Sequence, residues 1–133
     1  MTPVTATIHS DFAEGAEVQR KIIDAAIKNG FGESSLFGLR IALEEAIVNA
    51  IKHGNKLDRS KHVKIKASIS PGQAEIEVED EGPGFDRATV PNPLHADNLE
   101  KSTGRGILLI ESYMTKVSWD RGGRRLKMVK QNR

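Results

Sequence analysis

A chain of 133 residues is long enough for one domain, read as residues 1–133, with a core of its own. Its 20 basic and 18 acidic residues leave a net charge of only +2, which argues against a general nucleic-acid binder, and the lack of cysteine excludes disulfides and thiol chemistry. No apolar run reaches the ~18 residues of a membrane span, and MTPVTATIHSDFAEG lacks the basic-then-apolar order of a secretion signal, so a cytoplasmic protein with no membrane contact is expected.

In chain order, Val4–Ile8 alternates and predicts a first strand. Asp11 or Glu14 starts a helix carrying Val18, Ile22, Ala25 and Ala26, which stops at Asn29-Gly30 with a left-handed residue. Ser34 or Ser35 is expected to cap a second helix running to Gly54. Leu36, Leu39, Leu43, Ala46, Ile47 and Ala50 share one arc of it, the pattern of a helix packed on a sheet. Val63, Ile65, Ala67 and Ile69 alternate with polar residues, as do Ala74, Ile76 and Val78 beyond Pro71-Gly72. This predicts a hairpin with one buried face, whose simplest register sets Lys66 against Glu77 and Lys64 against Glu79. Residues 87–103 carry two prolines and no periodicity, too long a stretch for an ordinary connection, and read as a lid. An apolar helix follows through Ile107, Leu108, Ile110 and Met114, then a hairpin of Lys116–Trp119 and Arg124–Val129 around Arg121-Gly122-Gly123. No repeat or low-complexity tract interrupts the chain.

Three polar segments stand out from this frame. Glu45, Asn49 and His53 recur every four residues on the second helix, one stripe spanning roughly 80° beside the packed arc. Such groups are costly beside a packed face unless something binds them, although a solvated edge would carry them too. Glu44 lies about 100° from Glu45, off the stripe. Period two places Asp80 on the buried side with Val78 and Ile76, where a carboxylate needs donors such as a ligand amino group. Gly82 and Gly84 follow and permit close backbone approach, though an Asp-Gly turn with a purely structural role has the same sequence. In Ser102–Ile110 (STGRGILLI), Gly104 and Gly106 precede the apolar helix, whose N-terminus offers unpaired N–H groups to a phosphate, with Lys101 and Arg105 adding charge. The segment is neither a Walker A loop nor G-x-G-x-x-G, and alone it could be a flexible turn. His53 reads equally as pocket rim or helix-end structure. The basic C-terminal stretch from Lys116 to Arg133 reads as a solvated hairpin edge or a contact for an acidic protein, with only Trp119 as the aromatic that nucleic-acid sites interleave.

In order and spacing these segments resemble the ATP-binding boxes of the GHKL superfamily of gyrases, heat-shock chaperones, histidine kinases and mismatch-repair ATPases. Glu45-x-x-x-Asn49 is similar to the first box, Asp80-x-Gly82-x-Gly84 to the second and Gly104-x-Gly106 to the third. Residues 45–55 (EAIVNAIKHGN) and 104–110 (GRGILLI) further resemble the stand-alone bacterial serine-protein kinases that act as anti-sigma factors, and the likeness runs over nearly the whole chain. No room remains for the phosphoacceptor helices and sensor of a histidine kinase.

The resemblance implies an α+β fold, a two-layer sandwich of the Bergerat type with a mixed, mostly antiparallel sheet covered on one face by helices. It implies ATP or ADP with Mg²⁺. Asp80 would take the adenine amino group, Gly82 and Gly84 would let the base approach, and Asn49 would ligate the metal. Lys101, Ser102, Thr103, Gly104, Arg105 and Gly106 would hold the phosphates, with His53 at the rim. Glu45 would be the base that deprotonates a serine of an anti-anti-sigma partner, a sigma factor being the second partner. The alternative is a nucleotide-gated adaptor that binds a regulator without modifying it. Relatives form homodimers, but no exposed apolar stripe fixes an interface in this sequence.

Overall fold

Period-two alternation in five segments builds one sheet, and each alternation turns its apolar half toward the same layer of helices. In the computed structural model, which describes residues 1–84 and 102–133, with residues 102–105 known by backbone alone, the strands are β1 (Thr2–His9), β2 (His62–Ile69), β3 (Gln73–Glu79), β4 (Lys116–Asp120) and β5 (Arg125–Gln131). The helices are α1 (Phe12–Lys28), α2 (Glu33–Val48) and α3 (Ser102–Tyr113). The expected lid lies outside the described residues as far as Lys101.

The strand order is β1-β2-β3-β5-β4, and every pairing is antiparallel. The β2–β3 hairpin has the register read from charge: Lys66 opposes Glu77 and Lys64 opposes Glu79. Lys127 lies on the far side of Glu77, so charges alternate across the open face of the sheet. Much of the basic C-terminal stretch is spent there on ion pairs. Arg121 reaches Glu79 at 2.8 Å, and Arg125 pairs with Asp120, whose carboxyl is lowered to about 2 chiefly by that hydrogen bond.

Between the layers, Ile22, Leu39, Leu43, Ile51, Ile65, Ile76, Ile110 and Met128 are fully buried, each contributing on the order of 1.5–3 kcal/mol by leaving water. Among the described residues, no helix is long and apolar enough to cross a membrane. Helix α1 starts as expected: Asp11 accepts hydrogen bonds from Ala13 N–H and Glu14 N–H, and Gly30 lies beyond its end at φ +86°. Helix α2 does not. Neither Ser34 nor Ser35 caps it; Gly32 does, and the helix begins at Glu33. Ser35 is instead buried inside the first turn, where its hydroxyl accepts from Arg133 N–H. Its pairing with the chain end, 98 residues away, outweighs its local capping preference.

Helices α1 and α2 meet closely at Gly15, where a methyl group would lie 2.7 Å from Ile47 Cγ2 and 3.3 Å from Ile51 Cδ1. Gly15→Ala would gain helix propensity, but a stiff β-branched side chain must then move. Overpacking is the larger effect, so the substitution is expected to lower stability by roughly 1 kcal/mol, read as a lower midpoint in urea at unchanged slope.

Candidate functional site

Helix α2 does not end as an α-helix. Asn49–Gly54 continues it as a π-helical turn, and Asn55 N–H closes onto the Ala50 carbonyl at 2.9 Å. A π turn advances each residue by less than the ~100° of an α-helix. The stripe expected from Glu45 through His53 therefore holds as α-helix from Glu45 to Asn49, and His53 reaches its place through the wider turn. Such turns gather at functional sites, and this one borders a cavity.

The cavity, of about 300 Å³, opens between α2, α3 and the ends of β3, β4 and β5. Ala46, Ala50, Val78, Ile107 and Leu126 give it apolar walls, and Asn49, His53, Asp80 and Arg124 bring polar groups to it. A mainly apolar cleft with a few converging polar groups is the usual form of a small-molecule site. Asp80 faces the cavity as period two requires, following Ile76 and Val78 on the helix side of the sheet. Its backbone N–H donates to the Arg124 carbonyl at 3.0 Å, and its Oδ1 accepts from Gly82 N–H at 2.8 Å. Among the described residues the carboxylate accepts no other hydrogen bond, so capacity remains for a ligand donor. Burial pushes the Asp80 carboxyl above its ordinary range, partly offset by the Gly82 hydrogen bond and the Arg124 charge.

Small residues make the room around it. A methyl on Gly54 would lie 2.4 Å from Asp80 Oδ2, and one on Gly82 would lie 2.0 Å from the Gly54 carbonyl oxygen. The two glycines let the end of α2 and the strand-end loop touch through backbone. Gly84, at φ +80°, lines the same cavity. Gly54 was not singled out from sequence, because its importance is a contact with a segment 26 residues away.

The third segment meets the first at Gly106. A methyl there would lie 2.8 Å from Glu45 Oε2 and 3.1 Å from Asn49 Oδ1. Helix α3 opens at Ser102, so Gly104 and Gly106 belong to its first two turns instead of preceding it. The unpaired N–H groups of a helix start thus fall at residues 102–105. Lys101 lies outside the described residues, and Ser102, Thr103, Gly104 and Arg105 are placed by backbone only. Glu45 stands beside the cavity, not in its wall. Its carboxyl is raised by loss of solvent and then by the neighbouring Glu44 charge, and Glu44 itself is exposed. His53 is lowered by desolvation and by Lys52, so its neutral imidazole is favoured at the rim.

The donor set suits a magnesium nucleotide. Among the described residues no cluster of three His, Cys, Asp or Glu side chains could hold a metal ion. Mg²⁺ is commonly held by few protein oxygens together with phosphates and water. Asn49 offers such an oxygen next to the start of α3.

Sequence reasoning also missed Asn55 and Arg124. Asn55 is fully buried, with Nδ2 donating to Ser10 Oγ and the His62 carbonyl and Oδ1 accepting from Glu81 N–H. Arg124 was read only as part of a basic hairpin, yet it lines the cavity beside Gly84, whose Cβ would lie 3.4 Å from Arg124 Cγ.

The sequence model of the family described as histidine kinase-like ATPase domain matches residues 8–130. An anti-sigma F factor of Clostridium perfringens is 37% identical over 81 residues, covering 59% of this chain and 58% of that protein. The serine-protein kinase RsbW of Bacillus licheniformis is 31% identical over 98 residues, covering 69% of this chain and 61% of that protein. The matches thus span less than two thirds of these relatives' own length. Among solved structures, the RsbU and RsbW domains of Rv1364c from Mycobacterium tuberculosis superpose with a TM-score of 0.66 over 100% of this chain and 32% of that one. At 15% identity that likeness speaks for the fold.

Proposed function

Because the chain belongs to the histidine kinase-like ATPase domain family, we propose that it binds ATP and ADP with Mg²⁺ in this cavity and is a serine-protein kinase and anti-sigma factor. Its phosphoacceptor is a serine of an anti-anti-sigma protein, and its second partner is a sigma factor held inactive in one nucleotide state. The names of the Bacillus and Clostridium relatives support the two halves of this reading. Residues 1–133 act in it as one ATPase domain. The observation that carries it is the seam at Gly106, which sets the start of α3 against Glu45 and Asn49 while Asp80 faces the same cavity.

Bound MgATP supplies the transferable phosphoryl group; the chain's own residues bind and orient. Asp80 accepts from the adenine amino group, and the contact of Gly54 with Gly82 leaves the base room to approach. Asn49 Oδ1 is the hard oxygen for Mg²⁺. The backbone at the start of α3, with Arg105 and Lys101, holds phosphates by its N–H groups and dipole. Glu45, raised in basicity by burial and by Glu44, takes the proton of the acceptor hydroxyl. His53 lines the rim in its neutral form.

The test is incubation of the protein with γ-labelled ATP, Mg²⁺ and candidate anti-anti-sigma proteins. Mg²⁺-dependent label on a partner serine is expected. Nucleotide-dependent binding without label would make the protein an adaptor, and failure to bind ATP at all would remove the whole reading.

A further inference from the structure

Asp80 lies at a strand end, yet the peptide groups on both sides of it are tied down. Its own N–H donates to the Arg124 carbonyl at 3.0 Å, just before β5. The next N–H, of Glu81, donates to Asn55 Oδ1 at 2.7 Å. Asn55 is itself fixed, for its Nδ2 donates to Ser10 Oγ at 3.0 Å and to the His62 carbonyl at 2.9 Å, and the side chain is fully buried. It also follows Gly54 directly, the residue against which the Asp80 carboxylate packs.

We infer that Asn55 is the positioning residue for Asp80: by holding Glu81 N–H it fixes where the Asp80 carboxylate meets the amino group of the base. The inference rests on the reading that Asp80 accepts from adenine. The physical reason is that a buried amide with three ordered partners has one orientation, whereas a loop carboxylate without that anchor samples several. A recognition hydrogen bond needs its acceptor within about 0.5 Å of the productive position. The alternative is that Asn55 is only glue between β1, the π turn and β2. Ser10 separates the two roles, since it accepts from the Nδ2 of that amide and not from the Oδ1 that holds Glu81 N–H.

The experiment compares dissociation constants of MgATP and of the Mg²⁺ complex of purine riboside triphosphate, which lacks the 6-amino group, in wild type, Asn55→Ala and Ser10→Ala. Wild type is expected to prefer ATP about tenfold or more, the worth of a hydrogen bond to a charged acceptor. Asn55→Ala should cut that preference to about threefold or less while leaving the deaminated nucleotide's affinity nearly unchanged, because the lost term belongs to the amino group. Ser10→Ala should keep the wild-type preference. An intact preference in folded Asn55→Ala overturns the positioning role and leaves the Asp80 reading standing. A wild type with no preference overturns the Asp80 reading itself, and the inference with it. Amide exchange in the wild type supplies a check that needs no substitution: Glu81 N–H should be protected like the β3 ladder, and exchange at an open-loop rate would show that the anchor does not hold.

Discussion

Asp80→Asn is expected to weaken ATP binding ten- to hundredfold or more, the equivalent of losing a charged acceptor worth roughly 1.5–3 kcal/mol. The local geometry makes the loss hard to evade. If the new amide oxygen keeps the hydrogen bond from Gly82 N–H, its NH₂ points a donor at the adenine amino donor. If the amide flips, the base gains an acceptor but Gly82 N–H faces a donor. Either way one partner is unsatisfied in a half-buried site. The fold itself should survive, because the substitution is isosteric and removes a charge that burial already disfavours. Acid should imitate the substitution, since the carboxyl's raised pKa means that at a higher pH than an ordinary aspartate it protonates, loses its charge and, like the amide, presents a donor beside its remaining acceptor. Calorimetry on the folded variant decides; unchanged affinity would sink the adenine assignment.

Glu45→Gln should separate binding from chemistry. MgATP affinity should stay near wild type, because Glu45 stands outside the cavity wall and in the proposed mechanism serves the acceptor hydroxyl, not the nucleotide. Phosphorylation of a partner serine should fall by about 10²–10⁴-fold, the usual worth of a positioned general base. Glu44→Gln should leave the rate within a few-fold, for that side chain is exposed on another face. It should nevertheless move the acid limb of the rate profile to lower pH. Glu44 is the second cause of the raised Glu45 pKa, and without that neighbouring charge the base stays ionised further into acid. Exchanged phenotypes for the two glutamates would show that the stripe is assigned one residue out of register.

The sheet and the helices were legible because their signals are periodic and local. Period two named the inward residues of β2 and β3, and opposite charges at Lys64, Lys66, Glu77 and Glu79 fixed the register that the structure has. Asp11 and Gly30 marked the ends of α1 by chemistry that acts within a few residues. The start of α2 was misread for the same reason in reverse: Ser35 has the right side chain for a cap, but the chain end claims it. Nothing near residue 35 announces a partner near residue 133.

The candidate site divides along the same line. The order and spacing of Glu45, Asn49, Asp80, Gly82, Gly84, Gly104 and Gly106 sufficed to assign the family, because boxes in sequence order are a linear pattern. The π turn, the touching backbones of Gly54 and Gly82, the Gly106 seam and the Asn55 anchor were decided only by tertiary structure. Apart from the π turn, each is a contact between segments 26 to 61 residues apart, as Asn55 to Glu81 and Glu45 to Gly106 show. Hydrophobic period tells a chain which face to bury. Which polar atom then stands within hydrogen-bonding distance of which depends on how two packed layers meet, and that is a property of the assembled fold.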